Sequence, residues 1–191
     1  MTQIIKVTEP LLQIVERPNQ SALIIQSAPV QITFLPVRTP PIITNGAVSY
    51  DFTGIPDWVT EIQIPFSNMS TNGNNIPLFQ LGDSGGIETS GYLGGAAEVT
   101  ASTFTALNNS AGFLTNAFTS AAVIQHGIAF FNLVDPSTNT WAFSLNAARS
   151  DSTAHSFASG TKALSGVLDR IRLTTNSADT FDGGVMSLSG K

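Results

Sequence analysis

The run IAFFNLVDPSTNTWAFSL, residues 128–145, decides the fold class. Two apolar runs, Ile128–Val134 and Trp141–Leu145, flank Asp135–Asn139. Pro136 presets φ for a turn, and Asp, Ser, Thr and Asn supply the side chains that cap one, so the stretch reads as a β-hairpin. Trp141, Phe143 and Leu145 recur with period two, which places them on one face of a strand. The same period puts Ile62, Ile64 and Phe66 opposite Glu61 and Gln63. In a looser form it sets Val167, Asp169, Ile171 and Leu173 against Leu168, Arg170 and Arg172. Asn176–Asp179 should then turn the 167–175 strand into a closing strand, Phe181–Leu188. Ten prolines are scattered along the chain, and Gly-, Asn- and Ser-containing breaks recur every ten or so residues. These features together predict an all-β protein. Phe104–Ile124 fits neither period, and Ser110-Ala111-Gly112 breaks any helix there, so a long loop with about one helical turn is expected.

Composition narrows the function. The chain has 191 residues, 42% of them hydrophobic, enough for one substantial core. Only 11% are charged, far below the ~25% usual in soluble domains. Ser, Thr, Asn and Gly fill the gap. The net charge is −5 and the eight Lys and Arg are dispersed, which argues against nucleic-acid binding and against a polybasic membrane anchor. No cysteine is present, so disulfides, thiol catalysis and cysteine-held zinc are excluded. Apolar runs at the N-terminus are broken by Lys6, Thr8, Glu9 and Pro10, unlike a signal peptide. No run approaches the ~20 apolar residues of a membrane span. The expectation is a protein made in the cytosol that stays there or leaves by lysis.

Residues 1–44 differ from the rest. Short β-type runs at Leu11–Glu16, Ala22–Gln26 and Val30–Leu35 are punctuated by Pro10, Pro18, Pro29 and Pro36, and Pro40-Pro41 closes the segment. Proline lacks an amide donor, so such runs suit edge strands or an extended arm. The expected organisation is an N-terminal arm, 1–44, completed by neighbouring copies or other proteins, and a globular domain, 45–191.

Gly82-Asp83-Ser84-Gly85-Gly86 has the form of the nucleophile loop of chymotrypsin-like proteases. That chemistry needs a histidine base oriented by a carboxylate. In those proteases the histidine comes before the serine, whereas both histidines here, His126 and His155, follow Ser84. The motif reads better as a Gly-rich turn in which Asp83 and Ser84 satisfy backbone amides. Carboxylates are scattered through turns with no pair singled out for glycoside hydrolysis. The histidines are isolated, so no metal site is expected, and no cofactor or catalytic residue is assigned. His126 reads as a structural residue at a strand edge, and Trp58 as core. Tyr92, in the Gly-rich loop Gly85–Gly95, reads either as packing its loop down or as a ring exposed to stack on a sugar face.

A resemblance ties these readings together. Gly54-Ile-Pro-Asp-Trp-Val, Ile64-Pro-Phe-Ser-Asn-Met-Ser-Thr-Asn-Gly, Leu81-Gly-Asp-Ser-Gly-Gly-Ile-Glu-Thr-Ser-Gly-Tyr and Leu168-Asp-Arg-Ile-Arg-Leu-Thr-Thr, followed by Asp179-Thr-Phe-Asp-Gly-Gly, resemble a domain of tail-fibre and other virion structural proteins of tailed bacteriophages. The match runs from about residue 45 to the end. It implies a non-enzymatic β-sandwich, homotrimeric in fibres, that recognises a host-surface glycan or protein. Only some forty residues precede it, which suits a short fibre or a small decoration protein.

The expected fold is therefore an all-β, jelly-roll-like antiparallel β-sandwich preceded by an extended arm. The expected function is that of a short homotrimeric tail fibre, assembled into the virion in the bacterial cytoplasm. Residues 1–44 would join other virion proteins. Receptor contact, with glycan, is expected in the 82–95 loop through Asp83, Glu88 and Tyr92, with the 104–124 loop second. A capsid or tail decoration protein is the alternative, and a polysaccharide depolymerase a third reading.

Overall fold

The structure, a computed structural model, describes residues 36–191 and, before them, the strands at 5–7, 13–15, 24–26 and 32–34. The chain divides into two compact units, Met1–Pro36 and Val37–Lys191. In the first, β1 (Ile5–Val7) pairs antiparallel with β4 (Ile32–Phe34), and β2 (Gln13–Val15) with β3 (Ile24–Gln26). The rest of the expected arm before Pro36, and its role in attachment, lie outside the described residues.

The second unit starts before the expected boundary at residue 44. β5 (Val37–Arg38) and β6 (Ile42–Ile43) pair with the last strands of the chain, and the Thr44 amide donates to Gly184 O at 3.0 Å. Pro36, Pro40 and Pro41 keep these strands to two residues and confine them to a sheet edge.

The remaining strands are β7 (Ser49–Thr53), β8 (Glu61–Thr71), β9 (Pro77–Asp83), β10 (Gly86–Ile87), β11 (Leu93–Val99), β12 (Phe104–Asn108), β13 (Phe113–Leu114), β14 (Gln125–Asp135), β15 (Thr140–Arg149), β16 (His155–Ala163), β17 (Arg170–Thr175), β18 (Phe181–Met186) and β19 (Ser189–Gly190). They form an antiparallel β-sandwich with no helix among the described residues. The smaller sheet runs β10-β9-β17-β7, with β13 also on β9. The larger runs β12-β11-β16-β15-β14-β8-β18-β6, with β19 beside β8 and β5 beside β19.

The alternation read from the sequence is what closes the sandwich. Ile62, Ile64 and Phe66 are buried on β8, and Trp141, Phe143 and Leu145 on β15. They face Phe79, Leu81, Ile171 and Leu173 of the smaller sheet within one core cluster. Phe79 meets Phe131 edge-on at 5.7 Å, and Phe113 stacks on Phe143 at 4.5 Å and 8°. The expected hairpin joins β14 to β15. Asp135 caps it, accepting the Ser137 amide at 2.9 Å and the Thr138 hydroxyl at 2.9 Å. Pro65 sits inside β8, where a missing amide would break a ladder. It lies where β18 ends at Met186, opposite Phe66, and β19 begins at Ser189, opposite Gln63. The donor is missing where the neighbouring strand is itself interrupted.

Three expectations need correcting. Phe104–Ile124 is not a loop with a helical turn. It contains β12 and β13, and Phe113, Leu114, Thr115, Asn116 and Ala117 are all buried. Both strands are too short to show a period. The strand expected over 167–175 begins only at Arg170, so Val167 is exposed and Leu168 buried, the reverse of a continued alternation. Phe181–Met186 does not return beside β17 as a hairpin. Asn176–Asp179 carries the chain across the sandwich to pair β18 with β8 in the other sheet.

Candidate functional site

The three residues expected to contact a receptor are gathered by β9, β10 and the loop into β11. β9 ends in the turn Asp83–Gly86. Asp83 Oδ1 accepts the Gly85 amide at 2.8 Å, and Oδ2 accepts the Ser165 hydroxyl at 2.7 Å. Those two donors, the Ser165 hydroxyl above all, hold the Asp83 carboxyl below the usual carboxylate range. Five residues on, Glu88 Oε1 accepts the Ser165 amide at 2.7 Å, and Oε2 pairs with Lys162 Nζ. Burial works against the charge on Glu88, but Lys162 and Ser165 outweigh it, and this carboxyl too lies below its usual range.

Tyr92 is only 2% exposed. Its hydroxyl accepts the Leu81 amide at 2.6 Å and donates to the Glu88 carbonyl at 2.9 Å. Its ring stands edge-on to Phe113 at 4.9 Å, with Lys162 Nζ 5.5 Å from the ring centroid. Burial drives the phenol well above its usual pKa, so it stays protonated and able to donate.

The placement has a reason in the sheet. One side of β9 is served by β10 at Gly82–Asp83 and by β13 at Leu78–Phe79. Leu81 falls in the gap between them. Its carbonyl accepts the Glu88 amide at 3.0 Å, and its own amide is taken by the Tyr92 hydroxyl. A buried amide without that partner is costly, and Tyr92 fills the gap. Asp83, Glu88 and Tyr92 therefore do come together, but inward. Tyr92 packs its loop down and offers no exposed ring for stacking. The sequence reading missed Lys162, a buried lysine in the otherwise neutral strand β16. A lone lysine at an inward-facing position of a strand was the available signal.

Directly after Tyr92 the surface opens into a cleft of about 650 Å³. Its floor is Gly94 and Gly95, and its walls carry Asn108, Asn109, Ser110 and Ser159, with Leu93 at the rim, 71% exposed. The glycines are required. A Cβ at Gly94 would stand 2.3 Å from Ser159 O, and one at Gly95 would stand 2.6 Å from Leu107 O. Asn109 Oδ1 accepts the Ala111 amide at 2.6 Å, and Ser110 O accepts the Tyr92 amide at 3.2 Å, which pins the wall loop to β11. The lining has no charged residue. It presents carboxamides, hydroxyls and close backbone, a set that can exchange hydrogen bonds with a neutral polyol. The two loops expected to meet a receptor, 82–95 and 104–124, both contribute to it.

Elsewhere the motifs resolve into structure. Ser84 lies exposed at the β9–β10 turn of the smaller sheet, whereas both histidines lie in strands of the larger one. His126 sits at a β-bulge between β14 and β8 rather than at a sheet edge. Its Nδ1 lies 3.3 Å from the Asn68 amide and 3.2 Å from the Ser67 hydroxyl. Trp58 packs against the core. Arg149 joins Glu98, at 2.9 Å, and Asp151 in a shielded ion-pair network. Among the described residues, no three His, Cys, Asp or Glu side chains are placed to hold a metal ion. No protein-family model, curated protein or solved structure matches the chain.

Proposed function

We propose that this chain is a non-enzymatic structural protein of a phage virion, a short homotrimeric tail fibre that binds a host-surface glycan. The Gly94–Gly95 cleft carries the binding part of this reading, and the motif resemblance carries the virion part. The cleft lies within the size range of small-ligand sites. Its walls donate and accept without charge. Sugars present hydroxyls, and apolar C–H faces that the exposed Leu93 can cover. A shallow neutral site binds weakly, and three copies on one fibre raise avidity by simultaneous engagement. The chain before residue 37 serves attachment to the particle.

The test is a microarray of bacterial surface polysaccharides probed with the full chain and with Ser110→Trp. Ser110 is exposed, and only its carbonyl bonds to Tyr92, so the indole fills the cleft without disturbing the fold. The wild type should bind a restricted set of glycans, and the variant at least tenfold less at an unchanged melting temperature. Equal binding by the two proteins removes the cleft from the account. Localisation over the head of the particle rather than the tail favours a decoration protein instead.

A further inference from the structure

The face of the larger sheet that points away from the core is built unlike a solvent-facing surface. Strand register carries one row across it: Ala106, Ala97, Phe157, Asn146 and Ile128 stand side by side from β12 to β14. The row on one side of it holds Phe104 and Val99, and the row on the other holds Ser159, Ser144 and Phe130. Phe104 is 67% exposed and Phe157 49%. From β12 to β8 the outward positions include two charged residues, Glu61 and Asp135, both at the far margin, and two imidazoles, His126 and His155. β12 closes the sheet on this side. All five of its residues, Phe-Thr-Ala-Leu-Asn, are exposed, with no charge or proline to protect the edge.

We infer that this face is where copies of the chain meet. Its chemistry fits a second copy better than another partner. The chain carries a net charge of −5, yet this face is almost free of charge, so identical copies approach it without repulsion and a charged partner finds nothing to recognise. Size agrees. Six strands ~4.8 Å apart, each with about four outward residues, span roughly 24 by 20 Å. That footprint is of the same order as the ~800 Å² each partner contributes to a standard interface. Leu93, Gly95, Asn108 and Ser159 belong both to this face and to the cleft, so an adjoining copy stands at the mouth of the glycan site.

The inference deepens the fibre reading by naming its contact surface, and light scattering on the full chain tests it. The wild type should give a multiple of 20.1 kDa. Asn146→Lys combined with Phe157→Lys places two like charges at the centre of the face, and should give the monomer mass with a cooperative melt. Asn146→Lys alone, a change at an exposed position, decides the matter if the double variant fails to fold, and should lower the assembled fraction at least tenfold. Val167→Lys, exposed in a loop away from this face, should leave assembly unchanged. An assembled double variant, or single variant where the double does not fold, overturns this inference and leaves the fibre proposal standing. A monomeric wild type overturns both.

Discussion

Replacing Tyr92 by Phe isolates the hydroxyl that completes the β9 ladder. The ring stays, so its edge contact with Phe113 at 4.9 Å survives and no cavity opens. What is lost is the partner of a buried amide, Leu81 N, held at 2.6 Å, and the donor to Glu88 O at 2.9 Å. Stranding one buried backbone group costs about 1–3 kcal/mol, and the ring itself is unchanged, so the loss should be about 2 kcal/mol. In a domain of this size each kcal/mol moves Tm by about 2–4 °C, which predicts a fall of roughly 4–8 °C. Thermal unfolding by circular dichroism measures it, at fixed protein concentration, because an oligomer melts higher when concentrated. Hydrogen exchange adds a local reading: the Leu81 amide should exchange faster in the variant. If Tyr92 were an exposed sugar platform, the Phe variant would keep its Tm and its slow Leu81 amide. That result would refute the reasoning.

Three further outcomes follow from the same structure. Ser84→Ala should change stability by less than about 0.5 kcal/mol, since Ser84 is exposed at a turn, and a serine-directed fluorophosphonate should label neither form. Labelling of the wild type alone would contradict the non-enzymatic reading. Phe113→Ala should cost about 3–5 kcal/mol in urea titration, because Phe113 is buried between Tyr92 and Phe143; a loss below about 1 kcal/mol would return residues 104–124 to the status of a loop. Acid should destabilise the fold in a defined window. Asp83, Glu88, Asp135 and Asp151 all have carboxyls held below their usual range, so their contribution is present above that range and is lost as pH falls through the folded-state values. Stability should hold from neutral pH to about 5 and decline below about 4, and a decline already complete above about pH 5 would contradict this assignment.

The sandwich was legible because β15 from Trp141 to Ala147, and β8 from Glu61 to Phe66, obey period two. On β8 and β15 one face is core and the other is not, so the sequence records the burial. β9 defeated that reading. All seven of its residues are buried, and a strand covered on both faces shows no alternation. β12, exposed at every position, fails for the opposite reason. The site was half legible. The Gly-rich stretch 85–95 was readable as a place of special backbone, and Gly94 and Gly95 do sit where Ser159 O and Leu107 O of the flanking strands press close. The direction of Tyr92 was not readable, because it is set by an unpaired amide eleven residues away and by strand β13, whose Phe113 lies in a stretch with no period. Lys162 was invisible as a partner of Glu88 until β16 and the 88–92 loop were brought together by the fold.

The central claim is that the cleft floored by Gly94 and Gly95 holds a glycan, and nuclear magnetic resonance titration of isotope-labelled full chain with a bacterial surface polysaccharide that it binds tests this most directly. The account predicts amide shift changes concentrated at Leu93–Gly95 and Asn108–Ser110, with Leu81 and the Asp83–Gly86 turn little affected. Shift changes confined to the Asp83–Gly86 turn, or spread over the sandwich and sparing the cleft, would contradict it.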